Sequence, residues 1–109
     1  MTIIDRELAM DRLGGDEELW SEISKLFVQE YPQMLHQLQA AVAAGDARAL
    51  METAHSMKGS LGTLGAEEGA LLALDLEMMG RNGVLGASRE ALRKLEQMLA
   101  AMQRELATA

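Results

Sequence analysis

The sequence contains no cysteine and two histidines, His36 and His55, so nucleophilic or metal-binding chemistry near neutral pH has few places to reside. His36 has Gln33, Gln37 and Gln39 around it, without a cation or a glycine at helical spacing, and reads as a solvated side chain. His55 lies in a different setting, Ala54-His55-Ser56-Met57-Lys58-Gly59-Ser60-Leu61-Gly62-Thr63-Leu64-Gly65. Advancing about 100° per residue places Leu50, Ala54, Met57, Leu61 and Leu64 within an arc roughly 80° wide, the natural core face of a helix. His55, Lys58, Gly59 and Gly62 fall in a second arc centred about 120° away. The imidazole therefore stands off the core, beside an ammonium group. Each glycine inside a helix costs about 1 kcal/mol relative to alanine. In an alanine-rich chain, two of them on the histidine face point to access by a bulky partner.

A carboxylate is available to orient that imidazole. Ala70, Ala73, Glu77 and Arg81 follow one another at three, four and four and share a helical stripe. If the two segments form an antiparallel hairpin about Gly65, His55 and Glu77 differ in level by only about 3 Å at 1.5 Å per residue. A carboxylate on Nδ1–H directs the Nε2 lone pair outward, and a nearby ammonium neutralises an anionic group being transferred. That is the apparatus of a histidine that carries phosphate, with Lys58 as the phosphoryl partner and Glu77 as the orienting group. Lys58 reads as a surface residue, so Lys58→Ala is expected to alter stability by no more than roughly 0.5 kcal/mol. Arg81 reads as a residue that bonds the carbonyls closing its own helix.

The elements that must position these residues are helices. Ala, Leu, Met, Glu and Gln dominate, apolar positions recur at three and four, and no segment reads as a strand. Gly14-Gly15, Gly45-Asp46, Gly65, Gly80 to Gly83 and Gly86 divide the chain into helix-length segments. The spacing predicts a short helix over 4–12 and a second beginning after Asp16 with Trp20, Ile23, Phe27 and Tyr31 on its core stripe. Pro32 is expected to end or kink this helix near Glu30, before Met34, Leu35, Leu38 and Val42 continue the pattern. Further helices are expected over 46–64, 66–81 and 88–107, with Asp46 and Ser88 as caps and Glu67 and Glu68 at a positive helix terminus. Tight links favour antiparallel neighbours. The expected fold is all-α, an antiparallel up-and-down four-helix bundle with a short additional N-terminal helix, in a single domain over 1–109. The methionines read as gap-filling core.

Composition narrows the partners. Ten Lys+Arg against 17 Asp+Glu give a net charge of −7, which opposes a nucleic-acid partner. No run approaches the roughly 18 apolar residues of a membrane span. A cytoplasmic, monomeric protein is expected, and no ligand spacing supports a metal site.

Beyond these physical readings, the motif strongly resembles the histidine-containing phosphotransfer (HPt) domain of multistep two-component signalling. The match consists of His55-Ser56-Met57-Lys58-Gly59-Ser60 and Leu64-Gly65-Ala66, with Leu76-Glu77 and Gly80-Arg81 later. Leu13-Gly14-Gly15-Asp16 and the stretch from Phe27 to Pro32 extend it over essentially the whole chain. The resemblance implies a helical bundle that accepts phosphate on His55 from a receiver-domain aspartate and passes it to another. Lys58 would be its electrostatic partner, Gly59 the access position, Gly62 a further partner-binding position and Glu77 the hydrogen-bonding partner. It also implies receiver domains of response regulators or hybrid histidine kinases as partners. No intrinsic cofactor is expected, and the divalent metal would reside in the receiver. The chain shows no phosphate-cradling loop and is expected to be a phosphocarrier without a kinase active site of its own. The alternative is a non-phosphorylated helical adaptor that uses the same face only to bind.

Overall fold

The computed structural model describes residues 3–107. Among them lie five helices and no strand: α1 (Arg6–Arg12), α2 (Glu17–Ala44), α3 (Ala47–Leu64), α4 (Glu67–Asn82) and α5 (Ser88–Ala107). The first three begin where an aspartate can accept from an otherwise unbonded amide. Asp5 accepts from Leu8, Asp16 from Leu19 and Asp46 from Ala49, at 2.9–3.1 Å. α4 has no side-chain cap and instead carries Glu67 and Glu68 in its first turn. Ser88 differs from expectation. Its hydroxyl is buried and donates backwards to the Leu85 carbonyl at 2.7 Å, because burial obliges it to find a partner in the preceding turn.

α2 runs through Pro32 as one helix of 28 residues, so of the two expected outcomes, an end or a kink, the helix does not end there. Pro32 is exposed, while Trp20, Phe27 and Tyr31 before it and Leu38, Ala41 and Val42 after it all bury in the same core. Ending the helix at Pro32 would strip one half from that core. Tertiary packing therefore outweighs the lost amide bond, and water can serve the carbonyl it frees on the solvent side.

The helices form a ring in which α2 neighbours α3, α3 neighbours α4, α4 neighbours α5, and α5 returns to α2. α1 lies across α3 and α2. Leu50, Ala54, Met57, Leu61 and Leu64, the core arc of α3, are fully buried against Leu38, Leu76, Leu95 and Leu99. Of the methionines, Met57, Met98 and Met102 are buried, Met10, Met34, Met51 and Met79 are half-buried and Met78 is exposed; Met1 lies outside the described residues. No helix of the described residues is long and apolar enough to cross a membrane.

Two glycines set the α3–α4 hairpin. Gly65 closes α3 at φ 89°, and a Cβ there would also collide with the Asp5 carbonyl, whose residue's amide donates to the Gly65 carbonyl at 2.9 Å. Gly80 allows α4 to lie directly on the backbone of α3. A Cβ at Gly80 would stand 2.6 Å from the Ala47 carbonyl oxygen and 2.7 Å from the Met51 nitrogen, whereas one at Gly59 would meet nothing within 4 Å.

The same substitution should therefore have opposite effects at the two positions. Urea unfolding should show Gly80→Ala destabilised by about 1–3 kcal/mol through overpacking. Gly59→Ala should be stabilised by about 1 kcal/mol through helix propensity.

Candidate functional site

Ala73, which is fully buried, and Gly80 keep α3 and α4 close, and between them Glu77 projects into the helix–helix seam. Its side chain is 2% exposed, the only buried charged residue among those described. Three groups compensate it. His55 Nδ1 lies 3.0 Å from Oε2, and an Arg81 Nη2 donates to the same oxygen at 2.9 Å. Lys58 Nζ stands 2.7 Å from Oε1 as an ion pair. The Lys58 ammonium is the main influence holding the Glu77 carboxyl below the usual carboxylate range; burial opposes it, and His55 adds to the lowering. Glu77 is therefore ionised at neutral pH.

An ionised carboxylate can only accept, so the imidazole nitrogen facing it must donate. That fixes the tautomer of neutral His55 with the proton on Nδ1 and the lone pair on Nε2. The imidazole is 66% exposed although its partner is buried, so the edge opposite Glu77 faces solvent. Geometry and burial together leave an oriented, accessible nitrogen lone pair on α3.

The remaining residues are arranged around it. Gly59 is exposed and leaves open space one turn beyond His55. Gly62 is half-buried, and the Arg12 guanidinium lies over its open side. Lys58 is tied to the buried carboxylate, which corrects its reading as a residue of little consequence for folding. Removing one partner of a buried ion pair leaves the other undercompensated, at a cost well above that of an ordinary surface change. Arg81 bonds Glu77, not the carbonyls that end α4, which meet the backbone amides of Gly83 and Val84. The Glu-x-x-x-Arg spacing was the available signal for this pair. His36 is exposed on α2, away from these contacts.

A groove of about 480 Å³ adjoins Gly59, lined by Ile23, Leu26, Phe27 and Glu30 of α2 and by Ser56, Ser60 and Thr63 of α3. Leu26 is 53% exposed. The core stripe of α2 includes Ile23 and Phe27, so sequence periodicity gave no sign that these residues also edge the accessible face.

The family model described as the Hpt domain matches residues 22–105. Among solved structures, the crystal structure of histidine-containing phosphotransfer protein B from Pseudomonas aeruginosa PAO1 is similar, with 28% sequence identity and a TM-score of 0.88. The match covers 97% of this chain and 92% of that one. A search of curated proteins finds no significant match.

The buried carboxylate should leave a mark on acid stability. Its folded-state pKa is lowered, so its stabilisation is fully present above the ordinary value of 4.5 and is lost as pH falls through the folded value. At pH 7, Glu77→Gln should be less stable by about 1–3 kcal/mol, the usual scale for a lost charge-assisted contact. Urea midpoints of parent and variant should converge as pH is lowered below 4.5; a gap independent of pH would contradict the ionised, compensated state of Glu77.

Proposed function

Because the chain belongs to the Hpt domain family, and is thus a histidine phosphotransfer protein of the phosphorelay type, we propose that it shuttles phosphate between receiver domains through His55. The observation that carries this reading is the exposed imidazole held by buried, ionised Glu77. In the forward step the Nε2 lone pair attacks the phosphorus of a receiver's aspartyl phosphate. The N–P bond forms, the P–O bond to the aspartyl group breaks, and its electron pair leaves with the receiver carboxylate. The proton on Nδ1 stays in place. Positive charge that grows on the ring is met by Glu77, and return of phosphate to another receiver aspartate is the same path reversed.

Lys58 keeps its ammonium beside the imidazole by resting on Glu77, where it offsets the charge of an arriving phosphoryl group. Gly59 gives a receiver room to bring its aspartate to Nε2. The divalent metal of the reaction is assigned to the receiver, and the chain acts as a monomeric phosphocarrier without a kinase centre.

His55→Gln should fold as the parent does yet take no phosphate from a phosphorylated receiver. Labelling of that variant, or of His36 in the parent, would refute the assignment, and receiver binding without any labelling of the parent would make the chain an adaptor.

Gly59→Gln tests access separately. Its melting temperature should be equal to or slightly above that of the parent, while its transfer rate falls at least about tenfold, since a side chain placed in the approach path displaces the reacting atoms. An unchanged rate would remove Gly59 from the docking face.

A further inference from the structure

α1 ends on Arg12, whose side chain reaches across to the α3–α4 turn. Its Nη1 donates to the Gly62 carbonyl and to Glu67 Oε1, the latter at 2.7 Å. Both Nη1 hydrogens are used in this way. Nε and Nη2 make no hydrogen bond among the described residues, and the side chain is 41% exposed. The Nε–Nη2 edge of a guanidinium presents parallel donors that match the two oxygens of a carboxylate. Anchoring through Nη1 therefore leaves free an edge suited to bidentate recognition and fixes its direction in advance.

Its place on the surface matters equally. A Cβ at Gly62 would stand 3.8 Å from Arg12 Nη1, so the guanidinium covers that glycine. Gly62 follows His55 by seven residues on the same helical face, about 10 Å along the axis at 1.5 Å per residue. Between them Gly59 leaves open space. The face is thus a strip bare of side chains at Gly59, with His55, Lys58 and Arg81 at one end and Arg12 at the other. A typical partner footprint of about 800 Å² per side has a radius of about 16 Å, so a receiver centred on His55 covers Arg12. On a chain of net charge −7, a cation fixed at that distance favours an acidic group on the partner.

We propose that Arg12 is a specificity-determining residue that offers its Nε–Nη2 edge to a receiver carboxylate about 10 Å from the phosphorylated aspartate, a spacing set by the rise of α3. The inference rests on the reading of His55 as the phosphoacceptor. Because the guanidinium is already held by Glu67 and Gly62, little side-chain freedom is lost on docking, and the contact selects among receivers by whether they place an acid there.

The test is phosphotransfer from one receiver domain, charged with acetyl phosphate, to the parent, Arg12→Gln and Arg12→Lys over a range of receiver concentrations. Arg12→Gln should raise KM roughly tenfold, the scale of one lost charged hydrogen-bonded contact, while kcat changes less than about twofold. Arg12→Lys, with the charge but not the fork, should recover only part of the loss, and added salt should narrow the difference from Arg12→Gln. An unchanged KM in Arg12→Gln overturns the proposal. So does a lowered melting temperature with unchanged KM, which marks a purely structural tie between α1 and the hairpin. If the parent takes no phosphate on His55, the phosphotransfer reading fails and this inference with it; normal transfer by the parent with an unaffected variant removes Arg12 alone.

Discussion

A carboxylate withdrawn from water must be compensated or it will not stay ionised, and Glu77 imposes that condition on everything near it. Two cations and an imidazole meet the demand, drawn from two helices: His55 and Lys58 from α3, Arg81 from α4 itself. Those contacts require α3 and α4 to lie close and in a fixed register. Gly80 permits the approach by letting backbone meet backbone, and Gly65 sets the turn that brings the helices into antiparallel register. The core arc of α3, from Leu50 to Leu64, then determines which face of the helix remains for the histidine.

The same compensation links stability to reactivity. Glu77 favours an imidazole that donates from Nδ1, and it becomes more favourable when that ring acquires positive charge. The ion pair with Lys58 serves both ends: it keeps the carboxylate charged and holds an ammonium on the same carboxylate that the imidazole faces. One buried charge thereby preorganises three surface groups that would otherwise sample many rotamers. A nucleophile on a helix, oriented from below by a buried group, keeps its geometry without any wall around it. Such an open site suits chemistry completed by a second protein.

Much of this was legible because helical periodicity converts sequence spacing into direction. The α3 wheel separated Leu50, Ala54, Met57, Leu61 and Leu64 from His55, Lys58 and Gly59, and these two groups are buried and solvent-accessible respectively. What periodicity does not reveal is a contact between elements not adjacent in the chain, such as Arg12 on Gly62, or the choice of a flexible side chain among several partners, as with Arg81 and Lys58. Pro32 illustrates a different limit. Local propensity argues for a break, but residues on both sides of it contribute to one core, and that cooperative burial lies outside any local window.

Glycine gives the sharpest case. At Gly80 the absent side chain admits another helix, at Gly62 it lies beneath a guanidinium, and at Gly59 it leaves empty solvent. From sequence these are the same residue within helices, each carrying the same propensity cost of about 1 kcal/mol. At Gly59 nothing in the fold approaches within 4 Å of where a Cβ would stand, and at Gly62 the nearest atom, Arg12 Nη1, would lie at an ordinary contact distance of 3.8 Å, so packing requires neither glycine as it requires Gly80. On the proposed function, that cost beside the exposed imidazole of His55 is accounted for by the receiver that must come close to it.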